Sequence, residues 1–192
     1  MDSITQQYLQ RSLKGDVHAY GMLMDSYQSL VYVLVRKVCG NAADAEELTQ
    51  DVFLKAYQQL KTFKGTASFA TWLYRIAFNT AVSGVRKKQS LRKRQERYET
   101  QVKALAQEEY EPGRPVAEAS RDAQLEALQH AVDALGPEDR LLIELYYYKE
   151  LQIKEVAYIA GLTESNAKVR IHRIRQRLGE VLKTPAEDPL ER

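Results

Sequence analysis

Apolar residues recur along this chain at helical spacing, in segments punctuated by glycine, proline and polar stretches. Ile4 to Leu13 reads as a short amphipathic helix stopped at Gly15, and Asp16 is placed to cap a longer one. Along that second helix Tyr20, Leu23, Tyr27, Leu30, Val31, Leu34, Val35 and Val38 keep a core stripe, and Gly40 with Asn41 can end it at positive φ. A third helix, from about Ala43 to Leu60, turns Leu48, Val52, Ala56 and Leu60 inward. A glycine-containing loop, Phe63 to Ala67, then feeds a helix for which Ser68 is the candidate N-cap. Phe69, Trp72, Leu73, Ile76 and Thr80 form its buried stripe, while Tyr74, Phe78, Val82 and Val85 point away from that stripe and leave a second apolar line.

The periodicity stops from Thr100 to Asp122, where the chain is polar, acid-rich and carries Pro112, Gly113 and Pro115. It resumes in four short helices. Leu125, Leu128, Val132 and Leu135 give the first stripe; Gly136-Pro137 breaks it, with Pro137 suited to a first helical turn. Arg140 to Tyr148 supplies the second helix, whose Tyr146, Tyr147 and Tyr148 read as core edges with wet hydroxyls rather than as base-stacking rings. Ile153 to Ala160 is the third; Gly161 turns the chain and Thr163 caps the fourth, with Ala167, Ile171, Ile174 and Leu178 inward. The expected fold is all-α: a four-helix N-terminal domain over 1–98, a flexible linker over 99–120, a helix-turn-helix domain over 121–183 and a tail over 184–192.

Over 192 residues the net charge is only +2, but it is unevenly placed. Arg86 to Arg97 holds seven Lys or Arg against the single acid Glu96, whereas Asp44, Glu46, Glu47 and Asp51 gather on the third helix. Separate acidic and basic faces suit more than one partner. Acids in a first turn favour the helix dipole, which accounts for Asp44, Glu46 and Glu47 but not for Asp51, deeper in, or for Gln50 and Leu54 beside it. Those residues suggest a docking face for a basic protein helix. On the fourth helix, aromatic, amide and cation share one surface (Tyr74, Arg75, Asn79, Arg86), which suits unstacked bases and phosphates; a solvated charge run or a packing face is the plainer alternative.

The final helix pair has the helix, glycine turn, helix arrangement in which the second helix enters a major groove. Ser165, Asn166, Lys168, Val169, Arg170, His172, Arg173 and Arg177 face outward on it. Asn and Arg can pair with base edges, Val169 can meet a thymine methyl, and the later cations suit phosphates. Other chemistry finds no support. The lone Cys39 reads as a core thiol, the three histidines lie far apart, and no phosphate-binding, nucleophile-elbow or zinc motif is present, so no catalytic, cofactor or metal site is expected. The longest uncharged segments, Ser26 to Val35 and Ile76 to Val85, are about half of a membrane span, and no leader pattern opens the chain; a cytoplasmic protein without membrane insertion is expected.

Three stretches together resemble the extracytoplasmic-function sigma factors of bacteria: DAEELTQDVFLKAY at Asp44 to Tyr57, FKGTASFATWLYRIAFNTA at Phe63 to Ala81, and the run from Ala134 to Leu178. The resemblance implies the two domains called sigma-2 and sigma-4, a subunit that directs core RNA polymerase to promoters, and no cofactor. It implies that Asp44, Glu47, Gln50, Asp51 and Leu54 meet the clamp helices of the largest polymerase subunit, with the flap as a further contact. It places the minus-ten element at Phe63, Lys64, Tyr74 and Asn79, with Arg75, Arg86, Lys87 and Lys88 on backbone, and the minus-thirty-five element on the outward residues of the last helix. It also implies control by an anti-sigma factor, for which the line Tyr74, Phe78, Val82 is a candidate surface. One departure stands out: Ser83 replaces a frequent aspartate, and Gly84 follows, costing roughly 1 kcal/mol relative to alanine in a helix. The end of that helix and the geometry of Arg86 stay open. An operator-binding regulator using only the helix-turn-helix is the alternative, though it leaves Asp51 and the Phe63 loop without a role.

Overall fold

The computed structural model describes residues 3–103 and 121–183, with side chains over 3–94 and 125–180. Among these, all regular structure is helical. The N-terminal unit is built from α1 (Ser3–Leu13), α2 (Val17–Cys39), α3 (Ala42–Gln59) and α4 (Phe69–Lys103), with a 3-10 turn at Leu60–Thr62. Asp16 caps α2 by accepting from the Ala19 N–H at 3.0 Å, which, with the Arg11 guanidinium, holds its carboxyl below the usual range. Gly40 closes the same helix in the left-handed region at φ 78°, where a side chain would be strained. Asn41 differs from expectation: its backbone is extended, and its side chain caps α3 by accepting from the Asp44 N–H at 2.9 Å.

The core of this unit lies where α2 meets α1, α3 and α4. The expected stripes are buried, apart from the half-buried Tyr27, Leu30 and Leu48, and are joined by Ala45, Thr49 and Phe53 of α3. The Tyr20 hydroxyl donates to the Phe53 carbonyl at 2.5 Å, so a buried phenol ties α2 to α3, and burial raises its pKa. Gly84 does not end α4. A Cβ there would stand 2.5 Å from Leu48 Cδ2, so the missing side chain is the notch into which α3 packs. The helix runs on to Lys103, past the expected boundary at 98; the rest of the expected linker, 104–120, and the tail from 184 lie outside the described residues.

The C-terminal unit comprises α5 (Arg121–Asp133), α6 (Pro137–Ile143), α7 (Ile153–Ala160) and α8 (Glu164–Lys183). A π-helical turn, Glu144–Tyr148, continues α6. Pro137 occupies its first turn, Gly161 takes φ 68° between α7 and α8, and Thr163 caps α8 by accepting from the Asn166 N–H at 3.2 Å. Leu141, Leu142, Leu145, Ile159 and Ile174 are sealed in its core. Leu125, expected inward, is instead exposed at the start of α5. Tyr146, Tyr147 and Tyr148 form an open rim, with the Lys37 ammonium of α2 5.5 Å from the Tyr148 ring.

The two units pack together. Helix α4 lies against α2 and α3 on one side and against α6 and α7 on the other, and α2 also meets α6. A helix that is apolar all round is one buried on all sides. The first half of α4 approaches this, buried on two sides with a polar strip at Arg75, Asn79 and Ser83 left between, and the expectation of an outward line at Tyr74, Phe78 and Val82 is corrected accordingly. All three are buried, at 4%, 4% and 6% exposure. Their helical line is bracketed by contacts to the C-terminal unit. Thr71 Oγ1 donates to Glu155 Oε1 at 3.2 Å, Arg75 lies 4.7 Å from the Tyr158 ring, and Arg86 pairs with Glu138 at 2.9 Å.

Candidate nucleic-acid interface

Ser68 positions the first site. Its hydroxyl accepts from the Thr71 N–H at 3.0 Å, starting α4 at the end of the Phe63 loop. Gly65 gives that loop its bend at φ 71°. The Phe63 ring packs edge-on against Phe69 at 5.6 Å and leans on Trp72 at 5.5 Å, an aromatic cluster that fixes the loop on the helix. The result is a cleft of about 440 Å³ between the α3 C-terminus, the loop and α4. It gathers four of the expected residues, Phe63, Lys64, Arg75 and Asn79. A ring, an amide and two cations around a concave space can hold a base by stacking and by hydrogen bonds to its edge, with the cations on phosphate.

The expected residue Tyr74 is not in this cleft. It lies on the far side of α4, where burial, and secondarily Glu144, push its phenol up to about 12. As a buried side chain at the junction of the two units it cannot touch DNA in this arrangement. Sequence reasoning in turn missed Lys55, Trp72, Ser83 and Tyr158, which also line the cleft. Lys55 is half-buried and donates to Thr80 Oγ1 at 3.3 Å. A cation between Leu54 and Ala56, on a helix otherwise read for its acids, was the one available signal for it.

The acidic face of α3 lies on the other flank of α4. Glu47, Gln50, Asp51 and Leu54 are exposed, with Leu54 at 57%. Asp44 is already engaged, by Lys88 and by Asn41 Nδ2 at 2.7 Å; these bonds, Lys88 first, lower its pKa. A groove of about 670 Å³ thus has Asp44, Glu47 and Asp51 on one wall and Lys87, Lys88 and Arg92 on the other. The half-buried Cys39 thiol on this groove is pushed up to about 11, first by desolvation, which leaves it a poor nucleophile.

On α8 the expected stripe is inward, and Ser165, Asn166, Lys168, Val169, His172, Arg173 and Arg177 are exposed. Arg170 is the exception. Its Nε donates to Asp139 at 2.6 Å and its Nη2 to Glu138 at 2.8 Å, so it ties α8 to α6 instead of projecting with its neighbours. Among the described residues no cluster of metal-ligating side chains is present and no helix is long and apolar enough to cross a membrane.

Family models match both units: Sigma-70 region 2 over residues 23–91 and Sigma-70, region 4 over residues 125–178. The ECF RNA polymerase sigma-E factor of Escherichia coli (strain K12) is 30% identical over 183 residues, covering 91% of this chain and 93% of the relative. The chain belongs to the ECF RNA polymerase sigma factors. The ECF sigma factor SigW of Bacillus subtilis (strain 168) is 29% identical over 185 residues, covering 95% and 99%. In fold, the chain resembles CnrH, solved with the cytosolic domain of CnrY, at TM-score 0.63, 19% identity and coverage of 94% and 97%. It also resembles the sigma factor RpoE of Bartonella quintana, solved with the anti-sigma factor NepR, at TM-score 0.53, 22% identity and coverage of 86% and 97%. As an ECF sigma factor the protein serves RNA polymerase in promoter-directed transcription initiation. An operator-binding regulator needs only the helix-turn-helix and leaves the region 2 match without a reason.

Proposed function

We propose that this sigma factor divides its work among three surfaces, within domains bounded at 1–98 and 121–183. The exposed part of the α3 face, Glu47, Gln50, Asp51 and Leu54, docks the polymerase clamp helices, with Asp44 shaping its edge through Lys88. The cleft at Phe63, Lys64, Arg75 and Asn79 takes an unstacked minus-ten base, and Arg86, Lys87 and Lys88 run along the backbone beyond it. The outward face of α8 reads the minus-thirty-five duplex, with Arg170 holding that helix on α6. The protein acts in the cytoplasm and performs no covalent chemistry. The observation that carries this reading is the cleft, because it brings a ring, an amide and two cations from the loop and α4 around one concave space.

The fold neighbour solved with an anti-sigma factor supports a comparable regulator for this chain. With Tyr74, Phe78 and Val82 covered by α6 and α7, such a regulator displaces the C-terminal unit or binds elsewhere. Asp51→Arg tests the docking face. Charge reversal against a basic helix is expected to weaken core-polymerase binding by at least tenfold, about 1.4 kcal/mol, in a pull-down titration; unchanged affinity would remove the clamp assignment.

A further inference from the structure

Two of the three surfaces claim the same charge. Lys88 stands on α4 among the cations read as backbone contacts, yet its ammonium is bound across the groove to Asp44 Oδ1, on the helix read as the docking face. Packing brings the two together. Leu48, one turn on from Asp44, closes on α4 at Gly84, one turn before Lys88. Asn41, the cap of α3, donates to the other Asp44 oxygen at 2.7 Å, so both oxygens are engaged. Lys88 first, and Asn41 after it, hold the carboxyl below its usual range. The acid side chain is 17% exposed against 65% for the lysine. The carboxylate is therefore the fixed partner, and the ammonium, on a long flexible stem, is the one free to leave.

Each visitor to the groove meets this pair. A basic helix lying on Glu47 and Asp51 finds Lys88 as a like charge at its rim and Asp44 as an acid already neutralised. A phosphate approaching Lys87 and Lys88 has to compete with a carboxylate for the second of them. A cation of the docking helix that takes Asp44 sets the Lys88 ammonium free for phosphate. In the same way, a phosphate that takes Lys88 uncovers Asp44.

We propose that the Asp44–Lys88 pair couples the two surfaces: docking of a basic polymerase helix on α3 and binding of a promoter phosphate on α4 favour each other, because both require the same ion pair to open. This rests on the reading of the α3 face as the docking site and of Lys88 as a backbone contact. Such coupling is reciprocal, and the exposure of the lysine limits it to about fivefold.

The test is a double-mutant cycle on the full chain. With a short fluorescein-labelled single-stranded DNA of random sequence at low salt, Asp44→Asn is expected to bind about two- to fivefold more tightly than Glu46→Gln, which removes the same charge from an exposed position of α3. In a Lys88→Ala background the two acid substitutions are expected to be equal. With core polymerase in place of DNA, Lys88→Ala is expected to dock more tightly than Lys87→Ala by a similar factor, a gain that loss of a merely structural pair would not produce. Should Asp44→Asn fail to fold, this polymerase comparison, at two exposed lysines, decides alone. Equal DNA affinity for Asp44→Asn and Glu46→Gln, or equal docking by the two lysine variants, overturns the coupling. The readings beneath it fail differently. If adding Lys88→Ala to Asp44→Asn costs no DNA binding, Lys88 is not a backbone contact; if Asp51→Arg leaves polymerase affinity unchanged, α3 is not the docking face.

Discussion

Helices α4 and α8 carry the two sets of candidate DNA contacts, and they are buried in opposite ways. In α8 one stripe, Ala167, Ile171 and Ile174, enters the core and the face around Lys168, Val169, His172 and Arg173 stays in water. In the first half of α4 the inward stripe is matched by a second one, and a strip at Arg75, Asn79 and Ser83 is left open or half-open between them. The contrast separates two kinds of reader. A helix that inserts whole into a duplex groove needs a free face on a firm base. One that serves unpaired bases can have its rim buried on both sides, provided a cleft remains between.

The sharpest way to break this comparison is to make the same kind of cut on both outer faces. Phe78→Ala on α4 is expected to cost about 3–5 kcal/mol in chemical denaturation, the usual range for a buried phenylalanine. Val169→Ala on α8, at a side chain 46% exposed, is expected to stay within about 0.5 kcal/mol. Similar costs for the two would mean that the second stripe of α4 is not covered in solution.

A smaller effect distinguishes two arginines within α8. Arg170→Ala is expected to lower stability by about 1 kcal/mol, since Glu138 and Asp139 lose their shared partner. Arg173→Ala should leave stability alone and weaken minus-thirty-five duplex binding, with a salt slope reduced by about 1 if it holds a phosphate, or with relaxed sequence preference if it reads a base. Stability loss from Arg173→Ala and none from Arg170→Ala would reverse the assignment.

The smallest signal is a pH dependence at the junction. Tyr74 has a folded pKa raised above the ordinary 10.0 to about 12, so the native state holds its proton longer than the unfolded chain. The stability this confers is complete below pH 10 and is lost as pH rises from there through about 12. Wild type should therefore lose stability relative to Tyr74→Phe over that window, and parallel curves would place the phenol in water.

What could be read from sequence follows the range of the interactions concerned. Asp16, Ser68 and Thr163 were legible as caps because a cap is settled within three residues, and the α8 stripe because its spacing is regular and its far side polar. On α4 the second apolar line was legible as a line, but not its fate. Nothing local says that α6 and α7, more than fifty residues on, pack against α4. The same holds for Tyr158 in the cleft and for Arg170, whose inward turn depends on two acids at the start of α6 rather than on its neighbours in α8. Gly84 looked like a weakness in a helix because propensity weighs the residue alone; its use appears only when Leu48 is seen against it.

That notch has a mechanical consequence. Gly84 marks where Leu48 of α3 closes on α4, and the rotational phase of the basic segment beyond it is counted from that point. Lys88 reaches Asp44 one turn past the mark, so the acids of α3 and the cations of α4 are indexed to a single crossing. One residue inserted between Gly84 and Lys88 would turn the whole arm by about 100° while leaving the core beneath it untouched.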